Sequence, residues 1–76
     1  MNKKRRKAIE EIWNKIEETK NSIENIKDEE NEFLENIPEN LCNSDKYSES
    51  ESACDALSSA MDSMDEVIGY LETAKE

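Results

Sequence analysis

The chain has no histidine, one glycine, one proline and two cysteines among its 76 residues, and only 5% of it is aromatic. Without histidine it lacks the usual general base at neutral pH and the commonest metal ligand. Its lone glycine, Gly69, belongs to no phosphate-cradling loop. Cys42 and Cys54 form neither a Cys-x-x-Cys pair nor a cluster with histidine, which argues against a zinc or redox motif and for two reduced thiols. No apolar run approaches the roughly 18 residues that span a bilayer. The basic start Lys3-Lys4-Arg5-Arg6-Lys7 is followed by Glu10 and Glu11 rather than by a signal-peptide apolar stretch. These absences predict a cytoplasmic protein that is not an enzyme, holds no cofactor or metal, and does not engage the membrane.

What is abundant is charge. Charged residues make up 39% of the chain against 34% hydrophobic ones, and the formal net charge is −10. Residues 1–20 hold seven cations and four anions, whereas residues 21–76 hold three cations and sixteen anions. Such a surface repels nucleic-acid backbones, so no direct nucleic-acid binding is expected, and it suits a partner with a basic surface. The plainer reading of the same charge is a solvated, soluble exterior. A chain this short buries a small share of its surface and gains from self-association.

The apolar residues are patterned. Ile9, Ile12, Ile16, Ile23, Ile26, Phe33 and Ile37 fall on an alternating three-and-four spacing, with Thr19 and Glu30 filling the gaps. This is a heptad seam of the isoleucine-rich kind that favours more than two strands. Ala8, Trp13 and Leu34 widen the stripe at its ends. The pattern predicts a first helix over about residues 3–36, roughly 50 Å long.

Pro38 ends that helix, because it cannot donate the next backbone hydrogen bond and biases Ile37 toward an extended conformation. A junction over 37–47 follows, in which Ile37 and Leu41 are expected to tuck under the end of a hairpin and Asn43, Ser44 and Asp45 read as turn chemistry. Ser48 and Glu51 have capping-box spacing, predicting a second helix over about residues 48–75 and roughly 40 Å long. Two stripes on it share Leu57, Met64 and Leu71; one adds Cys54, Met61 and Ile68, the other Ala53, Ala60, Val67 and Ala74. A helix this broadly apolar packs against at least two neighbours. The expected fold is therefore all-α: an antiparallel helical hairpin in one domain, assembling as a homodimer or tetramer into a multi-helix bundle. Its oligomer and core residues are Ile9, Ile12, Ile16, Ile23, Ile26, Phe33, Leu57, Met61, Met64, Ile68 and Leu71, with Leu57, Met64 and Leu71 buried.

Other features admit two readings each. The acid pairs Glu10-Glu11, Glu17-Glu18 and Glu29-Glu30 resemble ligand pairs, but neighbours on a helix point about 100° apart and read better as solvated. Lys3 to Lys7 is either a basic tip that touches nucleic acid or a phospholipid surface, which the net charge of −10 opposes, or a solvated helix start partly neutralised by Glu72 and Glu76. Trp13 is an interaction anchor or a bundle-core residue. Met61 and Met64 form an adaptable surface or part of the core.

The segment Ile37-Pro38-Glu39-Asn40-Leu41, followed by Ser44, Tyr47 and an acidic helix carrying Ala53, Leu57, Ala60, Ile68 and Leu71, resembles a group of small acidic two-helix proteins encoded by Gram-positive bacteria and their phages and prophages. Cys42 and Asn43 depart from the polar junction of that group. The resemblance implies a phage setting and hence a host cytoplasm. By analogy with small phage proteins it implies a non-enzymatic inhibitor of a host defence or nucleic-acid-handling protein, using outer acids such as Glu24, Asp28 and Glu32, with Trp13 and Leu41 as further anchors. Two alternatives stand beside it: an assembly protein whose main partner is itself, and an oligomer that sequesters nucleotides through Lys3 to Lys7, Trp13 and Tyr47.

Overall fold

In the computed structural model, which describes residues 1–41 and 44–76, two long helices run antiparallel: α1 over Lys3–Glu35 and α2 over Asp45–Lys75. The all-α hairpin expected from the two apolar stripes is the observed architecture. Each helix starts at a side-chain cap that satisfies an otherwise orphaned backbone N–H. Asn2 Oδ1 accepts from Arg5 N at 2.8 Å, and Ser44 Oγ accepts from Tyr47 N at 3.3 Å.

The cap on Ser44 corrects the expected start of the second helix. Ser48 lies inside α2 rather than at its edge, because Ser44 is extended, at φ −74° and ψ 159°, and places Asp45 in the first turn. A carboxylate there meets the positive end of the helix dipole. Between the helices, Pro38 is followed by a 3-10 turn over Glu39–Leu41, closed by Leu41 N donating to Pro38 O at 2.8 Å. Ile37 is half-buried beneath that turn, as its apolar character leads one to expect, but Leu41 is 49% exposed and does not tuck under. Cys42 and Asn43, read from sequence as a reduced thiol and a turn residue, lie outside the described residues.

The hairpin is a rod of 60 × 15 × 12 Å. Its inner face on α1 consists of Ile9, Trp13, Ile16, Lys20, Ile23, Lys27, Glu30 and Leu34, all half-buried. On α2 the matching positions are Tyr47, Ser50, Cys54, Leu57, Met61, Met64, Ile68, Leu71 and Lys75. Both sets keep the alternating three-and-four spacing of a coiled-coil seam. Three bonds mark the register: Arg6 Nη2 to Glu76 O at 3.1 Å, Lys20 Nζ to Asp65 Oδ1 at 2.5 Å, and Ser50 Oγ to Glu30 Oε1.

The seam on α1 differs from the expected one at alternate positions. Trp13, Lys20, Lys27 and Leu34 face α2, whereas Ile12, Ile26 and Phe33 lie outside at 47%, 54% and 48% exposure. The two possible seams share Ile9, Ile16, Ile23 and Glu30 and differ only in which flank turns inward. The observed choice brings in Trp13 and Leu34 at the ends, and lets lysine stems cover apolar surface while the Lys20 ammonium reaches Asp65. On α2 the seam is the stripe with Cys54, Met61 and Ile68.

The resulting core is thin. Among the described residues only Cys54 and Ser50 are buried in the hairpin, and Leu57, Met64 and Leu71, expected to be buried, are half-buried. Two helices alone cannot enclose a side chain on every side.

Candidate functional site

A seam of this spacing gives each helix two flanks, and in an antiparallel pair like flanks share one side of the hairpin. One side is formed by the residues that directly precede the inner positions Trp13, Lys20, Lys27 and Leu34 on α1 and Cys54, Met61, Ile68 and Lys75 on α2. These are Ile12, Thr19, Ile26 and Phe33 together with Ala53, Ala60, Val67 and Ala74. Seven of the eight are apolar. That the two stripes share a side is visible at one point directly: Phe33 and Ala53 line the same open hollow of about 400 Å³, with Glu30, Lys46, Glu49 and Ser50 around it. Phe33 also borders a second hollow, of about 330 Å³, with Ile37, Pro38 and Leu41 at the closed end of the rod.

The opposite side is polar. It carries Glu10, Glu17, Glu24 and Asn31 from α1 and Glu51, Ser58, Asp65 and Glu72 from α2. Glu24, Asp28 and Glu32 are all exposed, and their four-residue spacing carries them from this side onto the outer surface of α1, away from the apolar stripe. Among the described residues one ion pair links the helices, Lys20 with Asp65. Its hydrogen bond raises the Lys20 pKa above the ordinary 10.5, against a smaller opposing effect of burial. The chain's many carboxylates thus leave the hairpin's exterior strongly negative.

The other candidates are now placed. Trp13 lies half-buried in the seam with its indole Nε1 enclosed, which fits the core reading rather than that of an exposed anchor. Met61 and Met64 are likewise seam residues, half-buried against α1. Cys54 is buried, and burial, reinforced by the carboxylates of Glu30 and Asp55, raises its thiol pKa above the ordinary 9.0. A thiol in that state is a small hydrophobe and a poor nucleophile. Tyr70, 75% exposed, falls outside both apolar stripes of α2, so no helical spacing in the sequence points to it.

Among the described residues no three Cys, Asp or Glu side chains converge in a way that could hold a metal ion. No helix among them is long and apolar enough to cross a membrane. The chain matches no protein-family model, no curated protein and no solved structure. The arrangement of its own side chains is therefore the basis for a functional reading.

Proposed function

We propose that this chain is a non-enzymatic protein that works by binding protein surfaces, as part of a multi-helix bundle. The observation that carries this reading is the uncovered apolar side, where Ile12, Ile26, Phe33 and Val67 are all more than 40% exposed while the seam beside them is only half-closed. Large apolar side chains left exposed in a row and bordered by charge are characteristic of a protein-binding surface. Among the described residues no cluster of three Cys, Asp or Glu side chains offers a competing metal-site reading.

A second reading is favoured by a separate observation, the exposed trio Glu24, Asp28 and Glu32 on the far side of α1. It would set carboxylates against a basic surface of a host defence or nucleic-acid-handling protein, in the phage setting implied by the resemblance to small acidic two-helix proteins. The two sides do not overlap, so one chain can serve both: apolar side for assembly, acidic side for a partner.

A capture experiment from the natural host's extract tests both, using the full chain, Ile26→Lys, and the triple variant Glu24→Lys/Asp28→Lys/Glu32→Lys. Loss of capture or of assembly in Ile26→Lys supports the apolar side. Loss confined to the triple variant, and to low salt, supports the acidic one. Parent-like behaviour of both variants refutes protein binding through either side.

A further inference from the structure

We propose that the occupant of the apolar side is a second copy of this chain, lying antiparallel so that the closed end of each hairpin meets the open end of the other. The proposal rests on the reading that the apolar side binds protein, and adds the partner and its orientation.

Area is the first argument. A compact monomer of this mass, 8.8 kDa, would expose about 4,800 Å², whereas this hairpin exposes 5924 Å². The surplus of roughly 1,100 Å² per chain is of the size that each partner loses in a stable complex, about 800 Å². Burying the apolar side of two hairpins against each other would enclose the half-buried seams as well, turning two thin layers into a four-helix core.

The second argument is fit. Ile12 and Ile26 stand equally far from Thr19, and on α2 Ala60 and Val67, and then Ala53 and Ala74, are symmetric about the step from Ser63 to Met64. These two centres lie at nearly one level of the rod, because Lys20 bonds Asp65. A two-fold axis through that level brings Ile12 of one copy to Ile26 of the other, Ala60 to Val67 and Ala53 to Ala74. The small residues on α2 permit close approach there, and the larger ones on α1 fill the wider gap.

Charge decides the orientation. The closed-end segment 28–55 holds ten anions and one cation, while the open-end segments 1–20 and 62–76 together hold nine anions and eight cations. Pairing the hairpins with closed ends together would set the two most negative regions side by side. The antiparallel pairing separates them by the length of the rod and lays the cluster Lys3 to Lys7 beside the partner's acidic end.

The test combines mass, variants and an intermolecular distance. Sedimentation equilibrium of the full chain should give twice 8.8 kDa, and its melting temperature should rise with protein concentration. Ile26→Lys should abolish both effects, while Asn25→Lys, the same charge one residue away on the outer surface, should not. A spin label at Glu39→Cys, with Cys42→Ser and Cys54→Ala removing the native thiols, should report a separation approaching the 60 Å of the rod. Labels within about 20 Å, two helix diameters, would mean closed ends together and overturn the orientation. A dimer unaffected by Ile26→Lys would overturn the face. A monomer with a concentration-independent melt would overturn the second copy. In that monomer, loss of a captured host protein on Ile26→Lys would still leave the broader reading standing, and no loss would remove both.

Discussion

At the residue scale, the seam is composite: aliphatic side chains share it with Lys20, Lys27, Glu30 and Ser50. Leu57 sits midway along α2, between Cys54 and Met61, where truncation leaves a gap that two helices cannot close. Because Leu57 is half-buried in the hairpin, Leu57→Ala should cost about 2 kcal/mol, at the low end for a core leucine, read as a lower urea midpoint. An unchanged midpoint would remove Leu57 from the core. The titrating groups of the seam set a pH window. Folding raises the pKa of Lys20 and of Cys54 above their ordinary values of 10.5 and 9.0, so the folded chain holds both protons more tightly than the unfolded one. The stability tied to these protons is complete below those values and is lost as pH rises, first past 9.0 for the thiol and then past 10.5 for the amine. The urea midpoint should therefore fall on going from pH 8 to about pH 11. Combining Lys20→Met with Cys54→Ala should flatten part of that fall; an equally steep fall in the double variant would dissociate the effect from these two groups.

At the element scale, much of the fold is legible in the sequence, and its misreadings have identifiable causes. Pro38 marks the junction because no helix continues through it, and α2's seam shows plainly because every position in it from Cys54 to Leu71 is apolar. The seam of α1 is harder to read. Ile12, Ile26 and Phe33 look more like core residues than Lys20 and Lys27 do, yet a lysine stem can pass through a two-helix seam and place its ammonium on a carboxylate of the other helix. That choice depends on Asp65, 45 positions away, and no local pattern contains it. The start of α2 was obscured by competition between two serines with suitable spacing, Ser44 and Ser48; the structure gives the cap to Ser44. Ser44→Ala should accordingly destabilise the hairpin by about 1 kcal/mol, while Ser48→Ala, inside the helix and exposed, should be neutral or slightly stabilising. Thermal melts of the two variants decide it, and the reverse ranking would move the cap back to Ser48. The candidate sides were legible as residue sets, since Ala53, Ala60, Val67 and Ala74 form a stripe on paper, but their shared location with Ile12 and Ile26 emerges only once the register between the helices is known.

At the scale of the whole molecule, the hairpin divides its surface by chemistry: apolar on one side, acidic on the other, with Glu24, Asp28 and Glu32 carrying negative charge from the acidic side onto the outer surface of α1. If that acidic surface meets a basic partner, attraction between the two depends on charges that water and salt can reach, and screening over about 8 Å at physiological ionic strength weakens it steeply as salt rises. Self-association through the apolar side should respond in the opposite direction, because salt relieves the repulsion between chains that each carry −10. Salt therefore separates the two activities without any substitution. In the triple variant Glu24→Lys/Asp28→Lys/Glu32→Lys the same logic predicts parent-like helical content, since the three residues lie outside the seam, together with loss of the salt-sensitive binding and no loss of self-association. Circular dichroism, sedimentation and a salt titration of partner binding measure the three quantities on one sample. A triple variant that folds and binds its partner as well as the parent at every salt concentration would exclude this acidic surface as the contact, leaving exposed Phe33 and Leu41 at the closed end as the groups to substitute next.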